Sequence, residues 1–334
     1  MKGVSVVICC YNSSARLPQT LFYLAGQSVA TEINWEVIVV DNASTDDTKD
    51  VAITEWSKYR LSTCLRIVQE QKTGLTFARE TGIKEAMFDI IIFCDDDNWL
   101  SQNYVETAYE KMSQNLDAGI IGGWCDGHFE SPPPNWLIPM KPALAIVKPY
   151  HESTDIGRQR KTINGAGMVI RRSYYQHLRN LGFESILEDR KSTHLSSGGD
   201  TELCWAMLYG GYKLLFFNEL FFWHNIPKTR MSFKYFFRLT LKNVNPVILL
   251  SMYSRIYTTL NLAYHQFESS FVLSILNQIA YFFPRMIFGN NRFYSLINFL
   301  QCFKILWLIP FHHNSYKRQF QHIYKLRLKL SRNG

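Results

Sequence analysis

The sequence lacks most of the short signatures that would fix its chemistry directly. No G-x-G-x-x-G follows the first apolar run and no G-x-x-x-x-G-K-[ST] is present, so a nicotinamide oxidoreductase and a phosphate-loop nucleotidase both lose ground. The seven cysteines (Cys9, Cys10, Cys64, Cys94, Cys125, Cys204, Cys302) contain no C-x-x-C pair. An odd number without that spacing carries no zinc or redox motif and suits a reducing compartment. The N-terminus is not expected to act as a signal peptide, because one lysine precedes a short apolar run that ends at Tyr11-Asn12. Apolar runs long enough for a simple spanning helix, ~20 residues, are also missing. Residues 271–288 are interrupted by Asn277, Gln278, Pro284 and Arg285, and 296–311 by Asn298, Gln301 and Lys304.

Acid is nearly absent from the last third. From Leu220 onward Glu268 stands alone against 15 Lys and Arg, a net +14, whereas the preceding residues hold 21 Lys and Arg against 27 Asp and Glu, a net −6. This asymmetry suggests an acidic, enzyme-like part joined to a basic part that meets an anionic surface. No nucleic-acid motif accompanies the positive charge, so nucleic acid is not expected as a partner. The chain of 334 residues suffices for two average domains, or for one α/β domain with an appendage.

The most informative stretch is Ile90-Ile91-Ile92-Phe93-Cys94-Asp95-Asp96-Asp97-Asn98-Trp99. Its continuous, β-branched apolar run predicts a strand buried on both faces, delivering three adjacent carboxylates at its end. Three neighbouring anions repel and desolvate badly, so a cation is expected among them; a hard divalent ion shared with substrate phosphates fits best. Earlier, 4–9 and 35–40 read as strands, with 65–68 as a third. Helices are expected at about 16–27, capped by Ser13 or Ser14 and burying Leu17, Leu21 and Leu24, then from a Ser44–Asp47 capping box to about Lys58, and at about 75–87. Strands and helices alternating at this spacing predict an α/β fold with a mostly parallel central sheet flanked by helices.

Ligands of such sheets sit beyond the carboxyl ends of the strands, where Tyr11-Asn12, Asp41-Asn42 and Asp95-Asp96-Asp97 all fall. Further on, a helix at about 103–115 and a strand at 118–123 precede an irregular, proline-rich stretch, 124–162, expected to be a substrate loop. Gly165 to Ile170 reads as a strand whose small residues permit close approach of a ligand or backbone. Asp200-Thr201-Glu202 opens a helix to about Tyr209, and two short strands, 212–217 and 220–224, end at His224. His224 is a candidate to complete a metal's shell or contact phosphate, and Trp124 and Trp136, flanking the irregular stretch, are candidates to stack on a ligand's rings.

The ordered motifs V-S-V-V-I-C-C-Y-N, V-V-D-N-A-S-T-D-D-T, T-G-L-T-F-A-R, F-C-D-D-D-N and G-G-D-T-E-L resemble those of family 2 glycosyltransferases over roughly residues 1–225. The resemblance implies the GT-A, Rossmann-like nucleotide-diphospho-sugar transferase fold, with a nucleotide-sugar half (1–123) and an acceptor half (124–225). By that resemblance Tyr11, Asn12, Asp41 and Asn42 bind the nucleotide end of the donor, and Gly74 and Arg79 lie along the nucleotide and diphosphate. Asp95 and Asp96 lie near the ribose and sugar, Asp97 contacts a Mn²⁺ or Mg²⁺ cofactor, and Asp200 is the catalytic base. The residue before that base is Gly199, where the family usually has Glu. The implied reaction is inverting transfer of a hexosyl or N-acetylhexosaminyl group from a UDP-sugar, with GDP- and dTDP-sugars open, to a hydroxyl of a glycan or polyprenyl-diphosphate-linked acceptor. A catalytically silent sugar-nucleotide-binding scaffold is the alternative.

Residues 226–334 read as a helical, aromatic and basic extension, ending in Lys317, Arg318, Lys325, Arg327, Lys329 and Arg332. Such helices lie in the interface of an anionic membrane leaflet. Together with the resemblance this predicts a cytoplasmic protein, peripheral on the inner face of the cell membrane and engaged in surface polysaccharide assembly.

Overall fold

The computed structural model describes residues 2–148, 150, 152–157, 162–187, 197–259 and 261–331. The first half follows the predicted alternation: β1 (Gly3–Cys10), α1 (Leu17–Ala25), β2 (Asn34–Asp41), α2 (Thr48–Ser57), β3 (Leu65–Gln69), α3 (Leu75–Glu85) and β4 (Ile90–Asp95). The four strands pair in parallel in the order β3-β2-β1-β4. Val4, Val6, Val7, Ile8, Val37 to Val40, Ile91 and Ile92 are fully buried, as expected of strands covered on both faces.

Two local expectations are corrected. The side chains of Ser13 and Ser14 do not cap α1, although Leu17, Leu21 and Leu24 are buried as its spacing predicts. Nor does a Ser44–Asp47 capping box form. The Asp46 carboxylate instead accepts from the N–H groups of Thr48 and Ser14, and the Ser44 hydroxyl accepts from the Asn12 N–H. These side chains tie the β1–α1 turn to the β2–α2 turn, a use that spacing within one segment does not reveal.

Beyond β4 the sheet becomes mixed. A short β5 (Asn98–Leu100) and α4 (Tyr104–Gln114) lead into β6 (Ala118–Phe129), a 3-10 segment (Asn135–Leu144), β7 (Thr154–Asp155), β8 (Val169–Arg171), α5 (Arg172–Asn180), α6 (Gly199–Tyr209) and β9 (Lys213–Ile226). The order continues β4-β8-β6-β9-β5 with β7 paired to β9. β8 runs antiparallel to β4 and β6, β9 parallel to β6 and antiparallel to β5 and β7. The two short strands expected at 212–224 are one long strand with a bulge. Between Gly122↔Phe216 and Trp124↔Phe221 the register slips, and the carbonyl of bulged Asn218 accepts from the Trp124 indole. Gly123 faces this bulge, where a Cβ would lie 1.7 Å from the Leu220 carbonyl oxygen.

The rest of the chain is helical: a 3-10 turn (Lys228–Met231), α7 (Phe233–Lys242), α8 (Val244–Thr258), α9 (Tyr264–Phe288) and α10 (Arg292–Leu330). Helices α8, α9 and α10 share one apolar core with α6 and the sheet, running from Val7 and Ile91 through Cys204 and Met207 to Met252, Ile305, Ile323 and Leu330. Helices α9 and α10 are each long and apolar enough to cross a membrane by length and composition. On their outer surface Leu273, Phe283, Phe288, Phe303, Trp307 and Phe311 are exposed.

Candidate active site

The parallel pairing brings the polar strand ends together. Cys10 of β1 lies opposite Asp41 of β2, and Cys9 lies opposite Asp95 of β4. Tyr11 just beyond is 42% exposed, leaving a ring face open. Asn12, in the left-handed conformation at φ 50°, fastens its turn to the next through Oδ1, which accepts from the Thr45 N–H. Asp41 is buried and accepts from the Ser44 N–H at 3.2 Å. Asn42 works on the loops: its amide donates to the carbonyls of Glu70 and Lys72 and accepts from Gly74 N–H at 2.7 Å. It thereby sets Gly74, whose φ of 139° launches α3 toward Arg79.

The three consecutive aspartates have three different surroundings. Asp95 lines a cavity of about 550 Å³, and among the described residues no group donates a hydrogen bond to its carboxylate. The expectation for Asp96 is corrected. Asp96 sits in the turn just after β4 and is directed to the start of α1, where it pairs with Arg16 at 2.5 Å and accepts from the Ser13 hydroxyl. Burial, reinforced by the neighbouring Asp97 charge, raises the Asp96 carboxyl above its ordinary range, with Arg16 and Ser13 opposing. Asp97 is 3% exposed and receives Arg230 Nη1 at 2.9 Å.

Asp97 and His224 lie together, Oδ1 to Nε2 3.6 Å apart. His224 Nδ1 is 2.8 Å from the Leu144 carbonyl, which only accepts, so the ring proton sits on Nδ1 and the Nε2 lone pair faces Asp97 and Arg230. An imidazole held by a backbone carbonyl through its other nitrogen is how a metal-ligating histidine is oriented. Among the described residues no group of three or more His, Cys, Asp or Glu is arranged for a metal. The pair nevertheless fits a hard divalent ion that draws its remaining oxygens from water and a diphosphate.

Asp200 faces the same cavity as Arg79, Asp95 and His224. Its Oδ2 accepts from Gly165 N–H at 2.7 Å and its Oδ1 from Thr201 N–H at 2.7 Å, fixing the carboxylate while leaving a lone pair on each oxygen. A Cβ at position 165 would lie 2.5 Å from Arg79 Nη2 and 3.0 Å from Asp200 Cβ, so a side chain there would push the arginine aside. Glu202, two residues on, is fully buried. It accepts from the Ser185 hydroxyl, the Ile186 and Leu187 N–H groups and the Tyr253 hydroxyl, joining α6 to the preceding loop and to α8.

Sequence reasoning missed Arg230 as a site residue, although the basic pair Lys228 and Arg230 just beyond His224 was an available signal; Gly165 it noted only for its small size. It also missed the far wall of the cavity, built by Tyr235, Asn243, Tyr294, Asn298 and Gln301 of the C-terminal helices. Trp124 packs on Phe221, and Trp136 stacks on Phe233 at 4.2 Å between ring centroids and meets Phe236 and Phe293 edge-on, so both are packing residues.

Comparison with known proteins gives a consistent picture. The profile described as "Glycosyl transferase family 2" matches residues 5–179. "Glycosyltransferase GlyA" of Streptococcus pneumoniae is 30% identical over 121 residues, covering 36% of this chain and 16% of that protein. "Validoxylamine A glucosyltransferase" of Streptomyces hygroscopicus subsp. jinggangensis is 32% identical over 127 residues, covering 37% of this chain and 29% of that protein. The chain thus matches well under half the length of these curated relatives. A crystal structure of S. aureus TarS in complex with UDP-GlcNAc superposes with a TM-score of 0.55 at 14% identity, covering 97% of this chain and 91% of that one. At that identity the superposition establishes the GT-A-like fold.

Proposed function

Because the chain belongs to glycosyl transferase family 2, we propose that it transfers a sugar from a nucleotide-diphospho-sugar to an acceptor hydroxyl with inversion at the anomeric carbon. One observation carries this reading: Asp200, Asp95, Arg79 and His224 line a single cavity. Asp41 and Asp95 flank β1 from either side, two strand spacings or roughly 10 Å apart. That separation suits a donor whose nucleoside lies by Tyr11 and Asp41 and whose diphosphate reaches β4. The UDP-GlcNAc held by TarS supports a uridine donor.

In this reading the acceptor oxygen attacks C1 as its proton passes to Asp200, and the C1–O bond to the nucleoside diphosphate breaks on the opposite side. Arg79 neutralises charge developing on the leaving diphosphate. Asp97 and His224 would hold the divalent ion, which supplies further neutralisation of that leaving group when bound. The exposed aromatics of α9 and α10, beside a basic tail, support attachment to an anionic leaflet on the inner face of the cell membrane. A lipid-linked or glycan acceptor would then reach Asp200 along the wall formed by α7, α8 and α10, in a step of surface polysaccharide assembly.

The test is a binding titration with UDP-, GDP- and dTDP-sugars, in Mn²⁺ and then in EDTA. One nucleotide class is expected to bind in a metal-dependent way that Asp97→Ala abolishes; no binding to folded protein would overturn the donor-site reading, whereas binding without any sugar transfer would leave the silent sugar-nucleotide-binding scaffold as the better description. Flotation with vesicles tests the membrane arm. Binding should need anionic lipid and weaken in a Trp307→Ser, Phe311→Ser double variant, and indifference to both would remove the membrane from the proposal.

A further inference from the structure

Arg230 lies where a metal ion would have to sit. Its Nη1 is 2.9 Å from Asp97 Oδ2 and 3.1 Å from His224 Nε2, so one guanidinium bridges both metal-binding candidates. It comes from the 3-10 turn Lys228–Met231 directly after β9, its side chain is 20% exposed, and it also lines the cavity. Asp97 is almost wholly buried, so its negative charge is stabilised by a cation beside it. A guanidinium suits carboxylate and phosphate oxygens equally well.

We propose that Arg230 is a resident cation, surrendering Asp97 and His224 to a divalent ion only when a diphosphate is present to receive its guanidinium. This rests on reading the cavity as a nucleotide-diphospho-sugar site. Displaced into water, Arg230 loses a buried partner; displaced onto a diphosphate, it exchanges one anionic partner for another. A divalent ion alone therefore competes against the arginine, whereas ion and diphosphate arriving together do not. Linkage makes the effect reciprocal: the diphosphate raises metal affinity by the factor that the metal raises diphosphate affinity. Arg230 is a positioning residue in this role, setting the order in which the site fills.

The experiment is a titration of full-length protein with Mn²⁺, reading free ion by electron paramagnetic resonance, without nucleotide and with saturating UDP, GDP or dTDP. Wild type should bind Mn²⁺ weakly alone. Arg230→Ala and Arg230→Gln should bind it about tenfold more tightly without nucleotide, and the gain on adding nucleotide should shrink by a similar factor. Arg230→Lys, keeping the charge but losing the planar fork, should fall between. Thermal melts identify any variant that fails to fold, and the three substitutions differ enough that one folded variant decides the matter. Unchanged or weaker Mn²⁺ binding by a folded Ala or Gln variant, with normal nucleotide-dependent binding in wild type, overturns the role of Arg230 alone. Wild-type protein that binds no nucleoside diphosphate under any condition overturns the donor-site reading beneath it.

Discussion

Two acidic clusters each contribute one aspartate to the cavity, and they solve the same problem with different chemistry. At the end of β4, Asp96 is withdrawn from the ligand side and held by a guanidinium, Arg16, with the Ser13 hydroxyl. At the start of α6, Glu202 is withdrawn and held by neutral donors: two hydroxyls and two backbone N–H groups. In each case the withdrawn acid anchors the backbone that presents its neighbour, Asp95 or Asp200, to the cavity. Burying a carboxylate among neutral donors ties its stability to geometry, whereas burying it beside a cation ties it to charge. The two sites should accordingly fail in different ways.

The largest expected effect separates presenting from anchoring acids. Asp200→Asn should lower kcat by about 10²–10⁴-fold while donor binding and the melting temperature stay close to wild type. An activity loss accompanied by equal loss of stability would mean that Asp200 is an anchor as well. Next in size, Glu202→Ala leaves four donors facing a void and should destabilise the fold by about 3 kcal/mol, read as a lower denaturant midpoint. Glu202→Gln, which keeps part of the acceptor capacity, should cost less.

Arg16→Ala should cost about 1–2 kcal/mol at neutral pH, since Arg16 is partly exposed and water replaces some of what it supplies. Its pH dependence carries the sign of the Asp96 shift. Burial raises the folded-state pKa, so the stability linked to that carboxyl is full below the ordinary carboxylate value of about 4 and is lost as pH rises through the raised value. The Arg16→Ala penalty should thus shrink on acidification. Tyr253→Phe is the smallest expected effect, about 1 kcal/mol. An Arg16→Ala penalty that stays unchanged as pH falls would erase the charge-based account of the Asp96 cluster.

How far the sequence allowed this to be read depended on the range of each interaction. The strands β1 to β4 and the convergence of their polar ends follow from local apolar runs, whereas Asp200 came only from the resemblance of G-G-D-T-E-L to a family motif. Which of Asp95, Asp96 and Asp97 meets the cavity was not legible. The deciding partner, Arg16, is 80 residues away, and Arg230 is a further example on the other side. Likewise Asn218-Glu219 looks like a turn between two strands, and only pairing with β6 reveals a bulge within one. The role of the C-terminal helices was half legible: their basic, aromatic texture was visible, but not that Tyr294 and Gln301 wall the cavity.

Helix α10 has a practical consequence for anyone cutting the chain. Its 39 residues extend about 58 Å at the usual helical rise. Its first turns wall the cavity, its middle bears Trp307 and Phe311, and its last turns bury Ile323, Leu326 and Leu330 while Arg327 reaches the Tyr209 carbonyl at the end of α6. A shortened protein made to shed the basic, sticky tail would strip the covering from the helix that carries Asp200. Improved solubility is therefore better sought by replacing the exposed aromatics singly than by deletion.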